Sequence, residues 1–193
     1  MYNIGYDIGS SSVKAAIIEV KTGKQIAVTH EPEGEMGMIS PENSWAEQDP
    51  ELWWKLVCLA TKKLLEQTGI DSKKINGIGI AYQMHGLVVV DRNGAPLRNA
   101  IIWCDSRAVA IGNEAFKALG TKKCKEHLLN SPANFTASKL KWVRDNEPEV
   151  YDKVHKYMLP GDYIAYKFSG DITTTVNGLS EGDNFYGPFT YQG

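Results

Sequence analysis

Near the N-terminus, two short apolar runs at residues 4–7 and 13–20 are split by Gly9-Ser10-Ser11-Ser12, and Lys14 stands at the start of the second run. No other feature constrains the fold more. β-branched and other apolar residues on both sides of a glycine and serine turn read as a strand, a tight reversal and a returning strand. A further run at 25–29 follows the turn signal Lys21-Thr22-Gly23-Lys24, so the first thirty or so residues are expected to form a three-stranded antiparallel meander. Such a meander has one apolar face that something must cover. The chain supplies a helix next, with Asp49 as N-cap, Pro50 at the first position, Glu51 in the first turn and Gly69 as the stop. Leu52, Leu56, Leu59, Ala60 and Leu64 keep helical spacing, so Trp53, Trp54 and Cys58 are read as core or flank.

Beyond the helix, residues 75–81 (INGIGIA) read as a buried strand whose glycines permit close backbone approach, and 87–91 as another ending at Arg92-Asn93-Gly94. Short strands are expected at 100–103 and at 157–159, the latter stopped by Pro160, and helices at 107–119, 136–146 and 162–168. A meander, a helix, then strands alternating with helices define a mixed α/β layer fold. With 193 residues, 42% of them hydrophobic, the chain has room for one domain with a real core.

Charge narrows the partners. Lys and Arg number 21 against 23 for Asp and Glu, a net charge of −2, which supplies no basic footprint for a nucleic acid or an anionic membrane. The three cysteines, Cys58, Cys104 and Cys124, are far apart and form no C-x-x-C pair, which fits reduced thiols in a cytoplasm. No run approaches the ~18 apolar residues of a membrane span, and Asp7 with its neighbouring glycine and serines stands where a signal peptide would have its apolar stretch. Small molecules or proteins are the expected partners, and the protein is read as neither secreted nor membrane-bound.

Two segments carry candidate chemistry. The first turn lacks the helix that follows a P-loop, yet consecutive backbone N–H groups, the hydroxyls of Ser10, Ser11 and Ser12 and the charge of Lys14 would suit an anion. A carboxylate beside such a site repels phosphate, so the plausible partner of Asp7 is Mg2+. A plain polar hairpin is the alternative. The second segment, Gln83-Met84-His85-Gly86, stands at a strand end, where open α/β sheets present ligands. It offers an imidazole, a soft apolar surface and a glycine for close approach, which suits a small polyol, although a core histidine beside a packing methionine has the same pattern. Trp103 would wall a sugar or fill core. Asp105 and Arg107, two apart, are expected to orient a loop, and His30, His127 and His155 are assigned nothing.

These residues resemble a known family. Asp7-Ile8-Gly9-Ser10-Ser11-Ser12-Val13-Lys14 resembles the first phosphate hairpin of the actin, hexokinase and heat-shock chaperone superfamily, in the D-x-G-[ST]-x-x-x-K form of the FGGY carbohydrate kinases. Trp45-Ala46-Glu47-Gln48-Asp49-Pro50 and Gln83-Met84-His85-Gly86 are similar to segments of the xylulokinases in that family, the latter where they contact their ketose. Weaker likenesses are Ile102-Trp103-Cys104-Asp105-Ser106-Arg107, the stretch from Phe135 to Val143, and Leu159-Pro160-Gly161-Asp162-Tyr163.

The resemblance implies a ribonuclease-H-like α/β fold, a mixed sheet with flanking helices, over residues 1–182. It implies a kinase that passes the γ-phosphoryl group of MgATP to D-xylulose, with ribulose, fuculose or gluconate as alternative substrates and a non-catalytic nucleotide- or sugar-binding fragment as the rival reading. Asp7 would hold Mg2+; Gly9, Ser10, Ser11, Ser12 and Lys14 would cradle phosphate; Gln83, Met84, His85 and Trp103 would place the sugar. ATP and Mg2+ are the implied cofactors, and a homodimer is left open. Gly161 stands where the family commonly has Lys, which is expected to weaken a surface or hinge contact. Residues 183–193 depart from the family pattern. No segment resembles the one that carries the family's aspartate base, so the chain is expected to be a truncated N-terminal domain, inactive alone.

Overall fold

The structure, a computed structural model, describes residues 1–176 and 178; the stretch at 183–193, expected to depart from the family pattern, lies outside the described residues. Strand β1 (Tyr2–Ile8) pairs antiparallel with β2 (Val13–Glu19), and β2 with β3 (Gln25–Glu31), so the expected meander is present. Strict alternation decides which face is covered. Ile4, Tyr6 and Ile8 of β1 and Val13, Ala15 and Ile17 of β2 are buried, whereas Asp7 and Lys14 are exposed.

A two-residue strand β4 (Glu47–Gln48) leads into helix α1 (Pro50–Thr68), which closes that apolar face with Trp53, Leu56, Val57, Ala60 and Leu64. The ends of α1 are the expected ones. The Asp49 carboxylate accepts from the Glu51 N–H, and Gly69, at φ 64°, donates its N–H to Leu65 O. Leu59 corrects the expected apolar stripe, being 43% exposed. At 100° per residue it stands about 120° round the helix axis from the middle of the buried stripe formed by Trp53, Leu56, Val57, Ala60 and Leu64.

A short turn returns the chain to β5 (Ile75–Tyr82), which lies parallel to β1 and gives the sheet order β3-β2-β1-β5. A parallel return needs a crossover, and α1 provides it. The expectation of a buried strand at 75–81 does not hold. Among the described residues β5 is the outer strand of this sheet, and Ile78 is 48% exposed, with Gly79 and Ala81 exposed too.

The remaining elements build a second layer. β6 (Val88–Val90) and β7 (Ala100–Ile101) precede helix α2 (Val109–Leu119) and a short α3 (Thr121–Lys123) that runs into a π-type turn at Cys124–Leu128. Then come α4 (Thr136–Asn146), α5 (Pro148–Tyr151), β8 (Lys156–Met158) and α6 (Pro160–Ser169). β7 pairs with β4 and β8 with β6, both antiparallel, so the segments before α1 and before α6 are tied to the stretch that follows β5. Gly161 also departs from expectation. It is buried in the first turn of α6, and a Cβ there would stand 2.0 Å from the Tyr82 ring, so a tyrosine fills the space where a surface contact was expected. Among the described residues no helix is long and apolar enough to cross a membrane.

Candidate active site

Two turns are brought together at the end of the sheet. The last β1–β2 pair is Ile8 with Val13, and the Gly9 N–H donates to Ser12 O at 3.1 Å, which closes the hairpin. The turn is held from behind through its carbonyls. Met36 N–H donates to Ser11 O at 2.7 Å, and the Gln48 amide donates to Ser10 O at 2.6 Å. Ser11 stays exposed. Asp7 and Lys14 face each other across the hairpin at 3.8 Å, both more than half exposed. An ion pair this open contributes at most about 1 kcal/mol, so both groups are available to a ligand.

The second turn begins where β5 ends. Gln83 N–H donates to Ile8 O at 2.9 Å, continuing the parallel pairing one residue further and placing Gln83 beside the start of the first turn. Its side chain is only 9% exposed, and Oε1 is buried without a hydrogen-bond partner among the described residues. A buried acceptor with no partner is costly, and a ligand hydroxyl would satisfy it. Met84 is 56% exposed. His85 adopts the left-handed conformation, φ 57°, with its ring 5.1 Å from that of Phe135. Gly86 is required by contact rather than by backbone angle, since a Cβ there would lie 2.5 Å from Pro160.

Trp103 is 45% exposed and its indole N–H donates to Ser10 Oγ at 3.2 Å, so it walls the space beside the first turn and does not fill core. Ser10, Gln83 and Trp103 are thus linked in one region through Gln48 and the Trp103 indole, whereas Asp7 and Lys14 stand on the open face of the sheet, with His30 next in register to Lys14. Asp105 and Arg107 are buried behind the wall. Asp105 accepts from the Ala46 N–H at 2.6 Å and pairs with the Arg107 guanidinium at 2.7 Å, and Arg107 also reaches Glu47 at 2.8 Å. The guanidinium lies 3.9 Å from the Trp45 ring and 4.9 Å from the Trp142 ring. This pair orients the loop, as the sequence led us to expect.

Three connecting residues were not singled out from the sequence. Gln48, 1% exposed, donates to Ser10 O and accepts from Trp53 Nε1 at 3.1 Å and from Gln83 Nε2 at 3.4 Å. Lys139, fully buried, donates to His85 O, and Asn134 donates through its side-chain amide to Trp103 O. Burial brings the Lys139 ammonium down to about 8, against the attraction of Asp105. The one signal for each was a polar residue inside an otherwise apolar or motif-like stretch. Together the two turns offer hydroxyl donors on one side and a hydrogen-bonding, partly apolar wall on the other, which suits an anionic group beside a polyhydroxylated one.

Comparison with known proteins gives this geometry its relatives. Residues 2–185 match the profile of the FGGY family of carbohydrate kinases, N-terminal domain. A xylulose kinase of Staphylococcus xylosus is 34% identical over 174 residues, covering 90% of this chain and 35% of that protein. A xylulose kinase of Bacillus subtilis is likewise 34% identical, over 178 residues, covering 90% and 34%. This chain thus spans about a third of the length of these relatives. The crystal structure of xylulose kinase from Rhodospirillum rubrum superposes with a TM-score of 0.86 at 25% identity, over 97% of this chain and 38% of that one. The expected α/β architecture, a mixed sheet of the ribonuclease-H-like kind with flanking helices, is the one this chain has. Since the profile match runs through both turns and nearly the whole chain, the chain belongs to the FGGY family of carbohydrate kinases.

Proposed function

We propose that this chain forms the sugar- and phosphate-binding part of a kinase that transfers the γ-phosphoryl group of MgATP to the 5-hydroxyl of D-xylulose, giving D-xylulose 5-phosphate. The observation that carries the reading is the Gln48 amide, which bonds Ser10 O at 2.6 Å and Gln83 at 3.4 Å and so holds the two turns at one site. Phosphoryl transfer is chiefly a matter of placing two reactants in line. The similarity to xylulose kinases supports the choice of sugar.

In this reading the Ser10–Ser12 hydroxyls, the Gly9 backbone and Lys14 hold phosphate oxygens. Asp7, an exposed hard-oxygen donor beside the turn, fits Mg2+, which typically takes one or two carboxylates together with substrate phosphates. The ion would neutralise charge on the phosphates. Gln83 and His85 hydrogen-bond the ketose, Met84 gives it an apolar surface, and Trp103 walls the pocket and excludes water. The carboxylates buried nearby, Glu47 and Asp105, are both committed to arginines. Because no segment of the chain resembles the one that carries the family's aspartate base, we assign the base for the sugar hydroxyl outside the described residues.

Steady-state kinetics of this chain completed by the remaining two-thirds or so of a family kinase test the assignment. Asp7→Ala is expected to lower kcat about 100-fold or more with little change in the sugar KM, as loss of electrostatic stabilisation of the transferring group does. His85→Ala is expected to raise the sugar KM about fivefold, the loss of one hydrogen bond, and to leave the MgATP KM alone. Ser11→Val should disturb MgATP. Turnover of D-xylulose is compared with that of ribulose, fuculose and gluconate, and a preference for any of these would replace the sugar. If His85→Ala weakened MgATP and left the ketose untouched, the role of the second turn would be wrong.

A further inference from the structure

Lys139 has an amine with no exposed surface, on helix α4 rather than on either turn. Its ammonium has three donors and spends them on three acceptors: His85 O at 2.7 Å, Asn134 O at 2.8 Å and Asn134 Oδ1 at 2.9 Å. A buried cation is expensive, so a packing role alone is better served by methionine or leucine. What the cation holds is the carbonyl of the one left-handed residue in the second turn, His85 at φ 57°. The neighbouring carbonyl is pinned as well, since Thr136 Oγ1 donates to Gly86 O at 3.2 Å. A non-glycine residue in this conformation persists only where its surroundings over-determine it. The network continues outward. The Asn134 side chain that accepts from Lys139 donates to Trp103 O, and Trp103 donates to Ser10 Oγ at 3.2 Å in the first turn.

We propose that Lys139, acting through the His85 carbonyl and through Asn134, is the positioning residue that sets the sugar-binding turn and the Trp103 wall. It touches no reactant, and the inference rests on the sugar-kinase reading above only for its kinetic consequence. Lys139→Met removes the three donors while keeping most of the stem, and Asn134→Ala removes the side-chain acceptor and the bond to Trp103 O.

Both variants are made in the chain completed by the remaining two-thirds or so of a family kinase and are measured in two ways. Lys139→Met is expected to raise the D-xylulose KM about tenfold or more with the MgATP KM within about twofold, the signature of a lost ground-state contact to one substrate only. Asn134→Ala should move the same constant in the same direction by less. In the ligand-free protein, amide hydrogen exchange at Met84–Leu87 should run about tenfold faster in both variants, since the turn then opens locally. Equal rises in both KM values, or unchanged exchange in the turn, would overturn the proposal. Should Lys139→Met fail to fold, Asn134→Ala decides by the same two readouts. Faster exchange in a protein that handles no sugar at all would sustain the positioning role and sink the sugar reading.

Discussion

At the residue scale the site depends on polar groups that are buried behind it. Lys139 makes one consequence measurable. Its ammonium is brought down to about 8 from an ordinary 10.5 by burial, with Asp105 and Cys104 pulling the other way and Arg107 adding to the effect. Between those values the unfolded chain holds more protons than the folded one, so stability rises as pH climbs from 8 toward 10.5. The full gain is about 3 kcal/mol. Denaturant titrations at pH 7, 8, 9 and 10 should show a steeper rise, or a shallower fall, in the native protein than in Lys139→Met. Parallel curves would mean that the lysine is charged and unstrained throughout. Asp105 gives the complementary case. Both its oxygens are engaged, and Arg107 beside it has no exposed side-chain surface, so Asp105→Ala should cost about 3 kcal/mol, the low end for breaking a buried pair because Glu47 remains. A loss under about 1 kcal/mol in urea would show a network far more solvated than its geometry implies.

At the scale of elements, the second layer is set by where helices touch loops. Gly112, the one buried residue of α2, lies against the turn at Pro132–Asn134, and a Cβ there would stand 2.3 Å from Ala133 Cα and 2.5 Å from Pro132 O. Alanine is the better helix former by up to about 1 kcal/mol, but both obstacles are backbone, and overpacking of this kind costs about 1 to 3 kcal/mol. Gly112→Ala should therefore lower stability by about 1 to 2 kcal/mol in denaturant titration, against the trend of propensity. It should also displace Asn134 and raise the sugar KM. A stabilised variant would show that α2 and the turn separate freely.

Across the whole molecule, the described residues hold both turns and a wall, and no segment of the chain resembles the one that carries the family's aspartate base. The 193-residue chain by itself is accordingly expected to show no sugar-kinase turnover above background in a coupled assay with ATP and D-xylulose, since general-base help is worth about 100- to 10,000-fold. Turnover near 1 per second, the low end of the usual range for kinases at about 1 to 100 per second, would reveal a base among residues given other roles here.

The first hairpin, α1 with Asp49 and Gly69 at its ends, and α4 at Thr136–Asn146 were all legible in the sequence. Each is specified by neighbours within a few positions: strand residues flanking a glycine and serine turn, a cap and a stop, an apolar spacing. The two candidate motifs stand out for the same reason, as contiguous strings. What joins them does not. Gln48 meets Ser10 across 38 positions and Gln83 across 35, Lys139 meets His85 across 54, and Trp103 meets Ser10 across 93. No local pattern encodes such pairs. Whether Ile78 is covered or Trp103 exposed is likewise a property of which elements lie alongside, and a strand's own residues do not say whether it sits inside a sheet or at its edge. The sequence by itself determined most of the elements and which side chains each turn carries; only the tertiary structure decided that the turns lie together, because long-range hydrogen bonds and burial, not spacing along the chain, bring them together.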